Sequence, residues 1–203
     1  MEIKKYEEII EEIGVSNITY ADLLRTEEWR EKRKEILKRD KNLCSDCFKL
    51  GSIIKDKKAY RKKTLEEIES DKIEMEKVYK EGLELFMNFA KSMGFKEPYD
   101  LPKKPEIESW TLDFEPTFLH VHHNYYVRNR KPWEYENDAL KTVCHNCHQK
   151  IHETTEILVY TDNTLTNRES NIVKCSKCNG SGFINEYHYY LDGICFKCNG
   201  RGY

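Results

Sequence analysis

CHNCHQKIH, residues 144–152, packs two cysteines and three histidines into nine positions. The spacing predicts a helix over about residues 146–153, on which His148 and His152, four apart, share one face. Cys144 and Cys147 stand at its head as a CxxC pair. Upstream, LHVHHNYY (119–126) closes a stretch that reads as a strand over residues 117–123. Side chains alternate faces along a strand, so His122 and His123 are aimed in opposite directions. Residues 140–143 read as a second strand, and the local order becomes strand, loop, strand, helix.

All eight cysteines fall in CxxC pairs: Cys44 and Cys47, Cys144 and Cys147, Cys175 and Cys178, Cys195 and Cys198. Four pairs with none left over predict two structural zinc sites, each held by four thiolates. A redox CxxC would occur as one pair in a βαβ setting, which the sequence does not offer. With Cys44 and Cys47 joined through zinc to Cys144 and Cys147, the helix head is pinned beside the histidine strand. That arrangement predicts a further metal site of His122, His148 and His152, next to the free imidazole of His123. His120 and His145 have no such support and read as ordinary strand or surface residues.

Around this region the chain reads as α+β. Ile3, Tyr6, Ile9, Ile10 and Ile13 follow helical spacing up to Gly14. Further helices are expected over about residues 19–25 and 27–39, the latter with Trp29, Ile36 and Leu37 on one face. Thr64 and Glu67 form a capping box ahead of a helix of about 28 residues, with a bend expected near Gly82. Pro98, Pro102 and Pro105 enforce an extended loop, and residues 110–114 read as a short strand. Residues 157–160 and 171–174 read as strands around a polar connection. The expected organisation is N-terminal helices over 1–24, a core over 25–155 with a helical insertion at about 48–117, and a C-terminal module over 156–203.

Charged residues make up 34% of the chain and aromatics 12%, with a formal net charge of -2. No segment approaches the run of about 20 apolar residues needed to cross a bilayer. The opening MEIKKYEEIIEEIG lacks the apolar stretch of a signal peptide, so a cytoplasmic location and no membrane partner are expected. The charge is unevenly spread: residues 25–63 hold 15 Lys and Arg against 7 Asp and Glu, and residues 64–115 hold 7 against 14. The basic stretch suits either a phosphate backbone or a solvated helix face.

Three stretches together, WREKRKEILKRDKNLCSDC (29–47), LHVHHNYY (119–126) and PWEYENDALKTVCHNCHQKIH (132–152), resemble the HNH endonuclease family in its zinc-bearing form. The resemblance frames residues 25–153 and implies a ββα-metal core. It implies hydrolysis of phosphodiester bonds in DNA, with His123 as general base. It also implies one catalytic divalent ion (Mg²⁺, Mn²⁺, Ni²⁺ or Zn²⁺) on His122, His148 and His152, beside two structural Zn²⁺. The family's middle asparagine is missing: its Asn-Leu step falls on Ala139-Leu140, with Asn137 and Asp138 close by. The competing expectation is a zinc-scaffolded module that binds nucleic acid or protein and cuts nothing. For DNA contact the first choices are Arg128, Arg130 and Lys131, in a loop also rich in tyrosine. The long inserted helix is the expected contact of a homodimer; a DNA clamp or a lid is the other role open to it.

CSKCNGSG (175–182) and CFKCNGRG (195–202) are two copies of CxxCxGxG. They resemble half of the cysteine-rich region of DnaJ-type chaperones and imply one small zinc ribbon around a tyrosine-rich hairpin. Its role is open between nucleobase stacking through Tyr187, Tyr189 and Tyr190, a protein partner, and a stabilising cap. A chaperone-like adaptor lacks further support, since no His-Pro-Asp tripeptide of a J-domain occurs.

Overall fold

The computed structural model describes residues 3–95, 101–187 and 190–203, leaving Pro98 and Tyr189 outside the described residues. Along the chain run α1 (Tyr6–Ile13), α2 (Tyr20–Leu23), α3 (Glu27–Arg39), β1 (Ile53–Lys55), β2 (Lys58–Lys62), α4 (Leu65–Ser92), β3 (Trp110–Leu112), β4 (Leu119–His123), β5 (Tyr126–Val127), β6 (Leu140–Cys144), α5 (His145–Thr154) and β7 (Val159–Tyr160). The fold is mixed α+β, with small sheets. No helix among the described residues is long and apolar enough to cross a membrane. The chain forms two compact units, Met1–Gly51 with Thr117–Tyr203, and Ser52–Pro116.

In the first unit, α3 is set by its cap. The buried Thr26 hydroxyl accepts from the Trp29 amide at 3.2 Å and donates to the Leu23 carbonyl at 2.9 Å. Glu28 accepts from the Tyr6 amide at 3.1 Å and so ties α1 to α3. Trp29 and Ile36 then pack against Val121, Val127, Tyr135, Ala139 and Leu140. Three of the six cations of α3 bond to other parts of the protein. Arg33 donates to the Leu119 carbonyl at 2.7 Å, Lys32 to Asn137 Oδ1 at 2.6 Å, and Arg39 to the carbonyls of Asn137 and Leu140. Three cations of the basic stretch therefore staple the helix to β4 and to the start of β6.

β4 and β6 pair antiparallel from Leu119 opposite Cys144 to His123 opposite Leu140. α5 follows β6 without a break, with Cys144 as its extended N-cap. β5 and β7 form a short parallel pair. The expected strand at residues 171–174 is absent: the segment forms no ladder, and Val173 is exposed. An apolar alternation makes a strand only where a neighbouring edge is free to bond. In the tyrosine-rich connection the described residues form two 3-10 turns, Asn185–Tyr187 and Leu191–Gly193, and an antiparallel bridge between Phe183 and Ile194 closes its ends.

The second unit holds more than the expected helix and the short strand expected at residues 110–114, which is β3. β1, β2 and β3 form an antiparallel sheet in that order. The β1–β2 turn places Asp56 and Lys57 at φ of 50° and 61°, the two-residue turn that suits the twist of a hairpin. Thr64 and Glu67 make the expected capping box, and Arg61 grips the Glu67 carboxylate at 2.6 and 2.8 Å, joining β2 to the helix. α4 runs unbroken through Gly82 for 28 residues. The Tyr79 hydroxyl donates to the Pro102 carbonyl at 2.8 Å. Val78, Leu85 and Phe89 of α4 are exposed.

The last segment folds as two interlocked arms. The Cys175 amide donates to the Gly202 carbonyl at 2.8 Å and the Cys195 amide to the Gly182 carbonyl at 2.9 Å, one bond the mirror of the other across the CxxCxGxG repeat. Gly182 and Gly202 have φ of 70° and 86°, and a Cβ on either would lie 2.2 Å from a backbone oxygen of the opposite arm. Gly182→Ala is therefore expected to cost about 1–3 kcal/mol. Chelator should strip metal from this segment faster in the variant than in the parent protein, and equal rates would show that the arms can part without loss.

Candidate metal centre

Two elements bring Cys44 and Cys47 to the head of α5. Asp40 accepts from the Thr142 amide at 3.0 Å, and the Ser45 amide donates to the Thr142 carbonyl at 2.8 Å, so the loop after α3 is bonded along β6. The turn itself closes through Cys44 N to Lys49 O and Phe48 N to Cys44 O, with Phe48 at positive φ. The four sulfurs of Cys44, Cys47, Cys144 and Cys147 then lie within 4.8 Å of one another, and so do those of Cys175, Cys178, Cys195 and Cys198. None of the eight is in a disulfide. The separations of 3.6 Å for Cys47 and Cys144, 4.0 Å for Cys175 and Cys195, and 3.7 Å for Cys178 and Cys198 match the edge of about 3.8 Å of a tetrahedral ion with bonds near 2.3 Å. Both groups therefore fit a metal ion. The Cys198 thiol and the Gly182 amide hold the Cys178 thiol below its ordinary value, which favours the thiolate form that ligates metal.

His122, on the α5-facing side of β4, meets His148 and His152 at ring-centre distances of 5.2 and 4.9 Å, and the two helix rings are 4.7 Å apart. Nε2 of His148 lies 3.2 Å from Nε2 of His152. One nitrogen from each of the three rings falls within 4.8 Å of the others. Exposure is 7, 8 and 4% for His122, His148 and His152. Burial pushes His122 down to about 3 and His152 to about 4, and lowers His148 well below its ordinary value, so all three rings are neutral at pH 7. Nδ1 of His122 is buried without a hydrogen-bond partner. Neutral converging donors with a stranded nitrogen are what a cation requires, and this group too fits a metal.

His123 occupies the other face of β4. It stacks on Trp29 at 5.1 Å and on Tyr126 at 5.5 Å, with the Tyr135 edge at 4.7 Å, and it is 5% exposed. Burial lowers it to about 4. Its Nε2 is 3.1 Å from the Pro132 carbonyl, which can only accept, so Nε2 carries the proton and Nδ1 the lone pair.

The residues chosen for DNA contact are held by the protein itself. Arg128 grips Glu169 at 2.6 and 2.7 Å, Arg130 donates to Asn163 at 2.7 Å and lies over Tyr135, and Lys131 pairs with Glu134 at 2.8 Å beside Tyr6 and Trp133. Asn137 is bonded to Lys32 and Glu35 of α3. Asn124 closes the loop instead: its amide donates to the Ala139 carbonyl at 2.9 Å and its side chain to the Asp138 carbonyl at 3.2 Å. Sequence reasoning passes over two further residues here. His120 stacks on His148 at 5.2 Å, and Nε2 of His120 and Nδ1 of His145 are both buried without partners. The two-residue spacing of His120 from His122 is the available signal, since it puts both on one face of β4.

The unfolded chain takes up protons at these rings near pH 6.5, and the folded chain does so only near 3 to 4. Stability contributed by their neutrality is therefore whole above pH 6.5 and is lost as the pH falls toward 4. Ring-proton NMR of the protein with zinc in both thiolate sites should show His120, His122, His123 and His152 without titration between pH 8 and pH 5. A midpoint near 6.5 for any of them would refute its burial.

Compared with protein-family models, with curated proteins and with solved structures, the chain matches none of them. What the three metal-capable groups do is read from their own chemistry.

Proposed function

We propose that the protein is a metal-dependent endonuclease of HNH type that hydrolyses phosphodiester bonds in DNA. The observation that carries the reading is the convergence of His122, His148 and His152 from a strand and the helix after its partner strand. His123, on the opposite face of the same strand, has one nitrogen already fixed by a carbonyl. Three imidazoles leave a tetrahedral site one position short, as hydrolytic centres do.

Both four-cysteine groups are read as structural zinc sites, because thiolates in a closed tetrahedral set favour that ion. The imidazole group suits Zn²⁺ or Ni²⁺ better than Mg²⁺, which prefers oxygen. A divalent ion there would supply charge stabilisation for the phosphate and the departing 3′ oxygen. In this reading Nδ1 of His123 takes the proton of the attacking water. Pro132 holds the ring in that tautomer, and the Trp29, Tyr126 and Tyr135 rings keep it uncharged until then. Arg130, held by a neutral amide, is the first residue offered to the DNA backbone. Arg128 and Lys131 would have to exchange Glu169 and Glu134 for phosphate.

The second reading is a metal-scaffolded binding module without hydrolysis. The near-complete burial of the three rings favours it, since closed sites are the structural kind. Incubation of the protein with supercoiled plasmid and Mg²⁺, Mn²⁺, Ni²⁺ or Zn²⁺ decides between the two. The enzyme is expected to nick, and His123→Ala to slow nicking by about 100- to 10,000-fold. Equal background from both proteins would leave the binding module. Metal analysis should find two tightly held zinc ions per chain, and one alone would refute the pair of scaffold sites.

A further inference from the structure

We propose that the C-terminal four-cysteine segment holds the three-histidine centre in register, with His120 as the positioning residue between them. The inference rests on the reading of His122, His148 and His152 as a metal site.

Phe183 lies in the chain between Cys178 and Cys195 and is fixed there. Its amide and carbonyl both bond the Ser181 hydroxyl, at 3.2 and 2.7 Å, and its ring fills the space that a Cβ on Gly193 would need. The edge of that ring meets His120 at 4.2 Å and 66°. His120 in turn lies parallel to His148, 5.2 Å away with 11° between the planes. His148 is thus set between two imidazoles of β4: His120 along its face and His122 across it at 72°. A second tether runs from the same segment, where Lys174, one residue before Cys175, donates to the carbonyl of His152. Two of the three candidate ligands are therefore reached from the C-terminal segment by separate routes.

His120 works through its flat face. Its Nε2 is buried and bonds nothing, so no polar contact of that atom explains the residue. A ring stacked on a ligand restricts the ligand's rotation and lowers the ordering cost when an ion binds. The C-terminal repeats, which have no part in the proposed hydrolysis, acquire a role: a closed tetrathiolate knuckle keeps Phe183 in place, Phe183 keeps His120, and His120 keeps His148.

The test uses the full chain with zinc in both thiolate sites and Co²⁺ titrated into the third. An all-imidazole cobalt site lacks the thiolate charge-transfer band, so it is seen separately in the visible spectrum. His120→Ala and Phe183→Ala are expected to weaken cobalt binding by about 10- to 100-fold and to alter the visible bands. His120→Phe, which keeps a flat ring, should stay within about threefold of the parent protein. Two zinc ions per chain in each variant would show that the thiolate sites remain formed. Parent-like affinity and spectrum in both alanine variants would overturn the proposal, and so would His120→Phe binding as weakly as His120→Ala. A parent protein that binds cobalt yet leaves plasmid intact would defeat the hydrolytic reading and leave this one standing.

Discussion

The sulfurs of Cys47 and Cys144 approach to 3.6 Å across 97 residues of chain. A loop of that length is costly to close without a strong local gain, and four thiolates placed to share one ion would supply it. The rest of the first unit follows from this closure. It fixes the loop after α3 along β6, sets the direction in which α5 leaves its strand, and so decides that His148 and His152 face His122 and not solvent. Cys44 and Cys144 are also part of a small apolar cluster with Leu119 and Val143, so the ligand cage and the core are one packing unit.

Around that closure, neutrality is the property the buried groups share. Six histidines, on β4 and α5, have their charged form disfavoured chiefly by burial. Uncharged imidazoles can ligate, stack or accept a proton, and position sets which of these each ring is placed for. His122 on the α5-facing side of β4 converges with His148 and His152, the opposite side buries His123 among aromatic rings, and His120 lies flat against His148. The cations follow the reverse pattern. Arg33, Arg39 and Lys32 serve as staples between a helix and two strands, where fixed acceptors give each a geometric purpose that net charge alone does not reveal.

Much of this is legible without coordinates. CxxC pairs and the HxxxH step state their geometry in their spacing, because ligand sets tolerate few arrangements. The start of α4 is readable from the capping residue Thr64, and the extent of α3 and α4 from apolar periodicity. The β1–β2 hairpin is not, since its turn is Asp-Lys, without the glycine or asparagine that usually marks positive φ. The pairing of Arg128 with Glu169 joins residues 41 apart in sequence, and no local pattern announces it. His120 reads as an ordinary strand residue because its only signal, the two-residue step to His122, gives a shared face of β4 and no partner; the stacking on His148 comes from the fold.

The second unit leaves the first at Gly51 and the chain returns at Thr117. Gly51 lies so close to Leu119 that a single added carbon would collide with it, so the exit and the re-entry are almost the same place. A segment whose two ends leave neighbouring points of one unit can change in length without moving those points. The path of β4, β6 and α5 is then set by residues outside Ser52–Pro116.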